Sequence, residues 1–588
     1  MKGELIKMNR NAYLGIDLGT TNSTVSIINI ERDGKVVPQT MEIQQIDDTG
    51  FGITYEQILP SALFIDEDTK YVGKYAIKMI DTYPKRVLRE VKKHIGVIKN
   101  GQSAKWVIDD EEYTPEIVSS YILKKLKKDT ENYLQREVNG VVITVPASFN
   151  FNQVSATKTA AKLAGFEEEK IHTVAEPTAA LIDFLNIEKY MSPQSRRIDI
   201  TTGKKRLLVF DLGGGTCDVS IIEAQENIDG NIQMNEISIS QYTDLGGMDF
   251  DTEIVNRLLF PQLQESKNIT AMQFRNTSRE VQVKVISGLK QIAENAKKSF
   301  ANKINSALSM DGGDYTSNSE RFDNLEYKQM LAGVPIEFMH TFRITKKSYD
   351  ECINKFLYHS ENIKNIETPI INAIETSKVK LSKEDIDCVF LVGGMTNYPT
   401  IQKRIYEIFN ERIKPVSSIN AMLSVSRGAA VLNYYKDSIV IKDGIDTTID
   451  TGDTLLPCNI YIEVIANNPV TLLEKNMSAG VCNIIEGVFE VAGKSSQDKI
   501  HEMELNLFTA ESADSMKITE LESAILAFKK PVNVGEKVSI KAEYTLDREV
   551  IISAWLTNNE NEKIDVKIGA TKLSQERIKR IQKDENFK

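Results

Sequence analysis

The chain has 588 residues, 41% hydrophobic and 26% charged, with 72 Lys and Arg against 83 Asp and Glu for a net charge of −11. At roughly 150 residues per domain, this length allows about four domains or fewer large ones, and the composition is that of an ordinary globular protein. The acidic balance excludes a protein that grips nucleic-acid phosphates with clustered Lys and Arg, although backbone amides can still hold a nucleotide.

The cysteines (Cys217, Cys352, Cys388, Cys458, Cys482) and the histidines are scattered, with no CxxC or metal-ligand spacing. That argues against a disulfide framework or a cysteine zinc site and fits a reducing compartment. No stretch of 18 apolar residues occurs, and the N-terminus has no apolar signal core. The expectation is a soluble, cytoplasmic protein with neither membrane nor nucleic acid as partner.

From residue 11 to 435, short apolar runs alternate with helical periodicity, the texture of α/β units. Strands are expected at 141–145, 207–210 and 388–392, helices at 153–163, 281–301 and 401–409, and a surface insertion at 311–331. Residues 436–452 read as an interdomain linker, with the apolar patch Ser438, Ile439, Val440, Ile441 inside a charged stretch. From 453 to 570 the pattern alternates apolar with polar, as in antiparallel β-structure with one buried face. Residues 571–588 read as a short charged helix.

Two segments of the first region repeat one another. In the first, an apolar run ends in Asp17, Leu18, Gly19, Thr20, Thr21, Asn22; in the second, in Asp211, Leu212, Gly213, Gly214, Gly215, Thr216, Cys217, Asp218. A strand, a glycine turn and a second strand let backbone N–H groups approach an anion, and threonine hydroxyls add donors. An Asp at each strand end supplies hard oxygen ligands suited to a hydrated Mg²⁺. Neither is a GxxxxGK[ST] loop. Two related copies weigh against ordinary glycine turns. A third turn, Gly393-Gly394 after the apolar run 389–392, fits a place where backbone approaches a nucleoside.

These residues resemble the 70-kDa heat-shock proteins, the DnaK-type chaperones. The matching stretches are 15–23, 145–147, Glu176-Pro177-Thr178-Ala179-Ala180, 210–218, 245–251, 294–297 and 391–399, in family order. The resemblance implies an actin-like, two-lobed α/β ATPase domain (a duplicated ribonuclease-H-like fold) at 11–435. It further implies a β-sandwich substrate-binding domain at 453–570 and a lid reduced to 571–588. It implies ATP/ADP and Mg²⁺ as cofactors. Asp17 and Asp211 would hold the metal, Lys92 would reach the γ-phosphate, and Glu176 and Asp218 would orient the attacking water beside Thr216. Gly246 and Gly247 belong to the phosphate site, and Glu294, Lys297 and Lys298 to a clasp for the base. Taken alone, those three would also fit a solvated helix face.

The implied function is an ATP-dependent chaperone for unfolded or extended polypeptides, with a J-domain co-chaperone and a nucleotide-exchange factor as partners. A reduced lid predicts fast client release. Several positions depart from the family. Asn397 and Lys298 stand where arginines stack on adenine, and Val154, His172 and Ala175 replace residues used in interdomain signalling. Val154, Ala175 and the reduced lid favour the alternative, a nucleotide-responsive scaffold or regulatory protein that binds ATP with weak or no client cycling. A sugar kinase or filament-forming member of the actin-like group shares the two loops but not the 176–180 motif, the 294–298 clasp or the appended β region.

Overall fold

A computed structural model describes residues 13–67, 69–99, 102–227, 232–240, 243–316, 320–360, 363–417, 422–440, 449–450, 455–464, 468–495, 497–510, 512, 518–521, 524–545, 548–567 and 574–588. The strand Gly15–Leu18 lies between a parallel neighbour, Val141–Val145, and an antiparallel one, Asn22–Ile30. Ile171–Ala175 and Val36–Thr40 extend this sheet on its two sides. The run Val141–Val145 is buried at every position, as a strand covered on both faces must be.

A second sheet repeats the plan. Its order is Val416–Ser417, Cys388–Val392, Lys205–Leu212, Cys217–Glu226, Ile232–Ile239, Ile449–Asp450. Here too a hairpin, Lys205–Leu212 with Cys217–Glu226, lies beside a parallel strand, Cys388–Val392. The register sets Asp17 opposite Thr24 and Asp211 opposite Asp218, so each Asp ends its strand at the same corner. Helices Glu176–Lys189 and Ser424–Val440 pack together between the two sheets.

The expected helices form, somewhat longer, as Phe151–Leu163, Arg279–Met310 and Pro399–Ile408. The segment expected to be a surface insertion is in part built into the fold. Its residues Glu326–Leu331 pair with His340–Thr345, and Phe322 and Leu331 are buried in the second lobe's core. Of 436–452, residues 436–440 continue the helix that begins at Ser424, and Ile449–Asp450 adds an edge strand beside Ile232–Gln233. Residues 441–448 lie outside the described residues.

Among its described residues the C-terminal region holds two four-stranded sheets and a two-stranded one, Lys499–Leu505 with Ala524–Asn533. One sheet contains Asn459–Ile462, the other Cys482–Glu490, Lys537–Tyr544 and Val550–Leu556, and both contribute to one apolar core. This region packs against the first. Leu455 joins Ala147, Ala175 and Ile239 in an apolar cluster, Phe151 joins the β core, and Lys158 pairs with Glu549 at 3.2 Å.

The last segment folds as the helix Gln575–Lys583, capped by Ser574, and it lies on the first lobe rather than over the β region. Asp584 accepts from Tyr121 Oη at 2.5 Å and Lys70 Nζ at 2.9 Å, and Lys124 donates to the carbonyl of Ile581. The backbone of Asn586 and Lys588 pairs with Lys70 and Val72 beside the strand Thr69–Val72.

Candidate nucleotide site

The two Asp-Leu-Gly corners face each other across one cleft. Asp17, Gly19, Thr20, Thr21, Asn22, Lys92, Glu176, Asp211, Gly213, Gly214, Thr216, Gly393 and Gly394 line it. Residues more than 370 positions apart thus converge because both sheets end there. The second loop is a tight turn, with Gly213 N–H donating to Thr216 O at 3.0 Å. Gly247 N–H donates to Gly213 O at 3.0 Å and Met248 N–H to Gly214 O at 2.9 Å, so residues 246–248 brace this loop from behind. A Cβ on Gly246 would stand 2.3 Å from Gly215 N, which leaves room for no other residue.

Four carboxylates, Asp17, Asp211, Asp218 and Glu176, surround one buried ammonium, Lys92, which donates to Glu176 Oε1. Burial, reinforced by Glu176, pushes Asp17 up to about 7, and burial with Glu176, Asp218 and Asp17 pushes Asp211 well above the carboxylate range. Burial also raises Asp218 to about 6, opposed by its hydrogen bond from Ser148. Burial alone would depress Lys92, but Glu176, Asp17 and Asp211 outweigh it and hold the ammonium above its ordinary value. Such surplus negative charge away from water favours a cation. Two carboxylates at one cleft, Asp17 and Asp211, suit a hydrated Mg²⁺ that takes few protein ligands. The donor set fits that ion.

Other expected site residues lie outside this lining. Asp218 is buried behind it, and Gly215 packs against Lys93 and Met248. Lys297 donates to Gly247 O at 3.2 Å and to both oxygens of Asp251 at 2.8 Å. Lys298 instead pairs with Glu294 at 2.6 Å near solvent. The helix face therefore divides, with Lys297 bracing the 246–248 turn. Asn397 lies in the turn after Gly394, where its carbonyl accepts from Asn305 at 3.0 Å.

Some contributors went unnoticed in the sequence. Ser148 Oγ donates to Asp218 Oδ1 at 2.6 Å, and the Phe149 ring faces Lys92 Nζ at 5.8 Å. Both follow the C-terminal end of the parallel strand Val141–Val145, where α/β folds gather ligand residues, and that position was the available signal. Lys93, Met422 and Val425 also line the cleft.

The family model for the Hsp70 protein matches residues 13–587. The chain belongs to the Hsp70 family. It is 33% identical to the chaperone protein DnaK of Thermosipho africanus over 430 residues, which is 72% of this chain and 59% of that protein. It is 30% identical over 573 residues to the chaperone protein DnaK of Thermosipho melanesiensis, covering 97% of this chain and 82% of the relative. The DnaK of Thermotoga neapolitana is 29% identical over 586 residues, covering 97% and 83%. Family and relatives support chaperone function and ATP binding for this Hsp70-family chain. Among its described residues, no helix is long and apolar enough to cross a membrane.

Proposed function

We propose that the chain is an ATP-dependent chaperone whose actin-like domain, 11–435, binds MgATP and hydrolyses it slowly to ADP. A β-sandwich domain, 453–570, would capture extended polypeptide. The observation that carries this reading is the convergence of both phosphate loops, Lys92 and the carboxylates of Asp17, Asp211 and Glu176 in one cleft, with Asp218 buried behind them. Backbone amides of Gly19 to Thr21, Gly214 and Thr216 would donate to phosphate oxygens, and the threonine hydroxyls would add donors. Asp17 and Asp211 would hold Mg²⁺, which when bound would supply positive charge to offset that of the phosphates. Lys92, released from Glu176, stabilises charge on the transferred group. Glu176 and Asp218 orient water for in-line attack.

Two features support coupling to the β region over a scaffold that only holds nucleotide. Val154 is buried with Ile95, Val145 and Phe149, and Ala175 packs against Leu455. Positions that lost polar signalling residues thus sit in two apolar clusters, one that includes Phe149 of the cleft and one that includes Leu455. In the strand Cys482–Glu490, Ile484 and Val488 are 50% and 59% exposed, whereas Asn459–Ile462 is largely buried. The exposed face suits an extended peptide, captured by apolar side-chain contact beside a strand. J-domain and nucleotide-exchange partners belong to the same reading. Calorimetric titration with MgATP tests it: wild type should bind, Thr216→Ala more weakly, and absence of binding to wild type would refute the site.

A further inference from the structure

Away from the nucleotide cleft, the first lobe carries a second surface on which a short piece of this chain is seated. The helix Gln575–Lys583 gives way to residues 584–588, which run beside the strand Thr69–Val72 on its open edge. Lys70 N–H donates to Asn586 O, Lys588 N–H to Lys70 O and Val72 N–H to Lys588 O, each at 2.9 Å, and the pairing is parallel. The Asp584 carboxylate is held by Tyr121 Oη and Lys70 Nζ. Three residues on, Phe587 is 9% exposed, its ring 6.4 Å from that of Tyr121 and 4.9 Å from Lys128 Nζ. A backbone edge, a charged anchor and an aromatic seat are the parts of a short-peptide receptor.

Every part of that receptor belongs to the first lobe. Lys70 lies on a strand paired with Ala62–Asp66, and Tyr121, Lys124 and Lys128 lie on the helix Pro115–Leu134. Lys70 and Lys124 are buried, and Lys70 and Lys128 act on Lys124 as like charges, offset by Asp584 and Glu585. Ammonium groups gathered away from water call for an acidic partner. We propose that this surface is a recognition site for an extended segment of a partner protein, with a carboxylate followed three residues later by an aromatic ring. Residues 584–588 occupy it in cis as a competing ligand. A tethered segment has an effective concentration that is roughly millimolar, so a second copy, which offers the same residues, cannot displace it at micromolar concentration. A partner with a better-fitting segment can. The ladder bonds supply affinity whatever the sequence, and the carboxylate and the ring supply selectivity.

The test is fluorescence polarisation with a labelled synthetic peptide of residues 581–588. It is titrated with the wild-type chain, a chain ending after Lys583, and the full-length Asp584→Ala/Phe587→Ala variant, which keeps the segment in place of a truncation. The shortened chain and the double variant should bind the peptide saturably, and wild type about tenfold or more weakly, because its own segment competes. On the shortened chain, peptides carrying Asp584→Ala or Phe587→Ala should bind about fivefold or more weakly, and so should the unaltered peptide when Lys70→Ala or Tyr121→Phe is introduced. No binding to either the shortened chain or the double variant would overturn the inference. Binding indifferent to both peptide substitutions would do the same, since it would show no selectivity. Sedimentation of wild type should report one size as concentration rises. Dimers that form with concentration and vanish in the chain ending after Lys583 would overturn the choice of a partner protein and assign the surface to a second copy.

Discussion

Gly393→Ala should damage the second phosphate loop through Asp211 without touching the nucleotide. Gly393 has φ 85° and ψ 148°, a region essentially confined to glycine, and placing alanine there costs about 1–3 kcal/mol. Its Cβ would also stand 2.4 Å from Leu212 O and 2.6 Å from Asp211 Oδ1, one atom fixed in a sheet and the other on the carboxylate proposed to hold Mg²⁺. Relieving that overlap costs a further ~1–3 kcal/mol, so the total loss is about 2–6 kcal/mol, shared between folding and site geometry. Thermal melting should show a lowered midpoint, and titration should show MgATP affinity falling by about tenfold or more, since each 1.4 kcal/mol is a factor of ten. Because Asp211 moves, the loss should be larger with Mg²⁺ present than for nucleotide with EDTA. Unchanged melting and unchanged magnesium-dependent affinity would refute the reasoning.

Burial holds Asp251 at about 6, opposed by Lys297, so the folded chain binds more protons there than the unfolded chain. This group's contribution is therefore full near pH 4 and is lost as pH rises to about 6. Against wild type, Asp251→Asn should gain up to about 3 kcal/mol of relative stability over that window, read from melting curves at several pH values. A constant difference would count against it. Asp584→Asn removes a charged acceptor from Tyr121 and Lys70, worth about 1.5–3 kcal/mol per bond. Hydrogen exchange should rise across 574–588 in that variant, and unchanged protection would show the contact to be incidental. Leu455→Asp places a charge among Ala147, Ala175 and Ile239, and it should separate the β region from the ATPase domain. Small-angle scattering should then report a larger radius of gyration, and an unchanged radius would contradict that packing.

Legibility in the sequence followed the range of the interactions. The corners at Asp17 and Asp211 are each written in a few consecutive residues, because a strand end, a glycine turn and a second strand are local chemistry. Glu176 was singled out only by the resemblance, because its local setting, strand Ile171–Ala175 running into a helix with Pro177 in its first turn, reads equally as an ordinary helix start. Lys297 shows where this reasoning stops. Helical spacing put it on one face with Glu294 and Lys298, but its partners, Gly247 and Asp251, lie on another helix. Arg548 and Ala147 are 401 positions apart, and Tyr121 and Asp584 are 463 apart. No periodicity encodes such a pairing. Only the packing of whole regions brings these groups together.

The central claim is that one cleft binds and hydrolyses ATP under the control of a polypeptide client. The measurement that tests it most directly is single-turnover ATP hydrolysis by the full chain, with and without an unfolded polypeptide, beside Lys92→Ala and Thr216→Ala. The account predicts slow basal hydrolysis, stimulation by the polypeptide, and a fall of about 10²-fold or more in both variants, the scale of losing one preorganised donor. ATP that binds but turns over at a rate indifferent to polypeptide would contradict it.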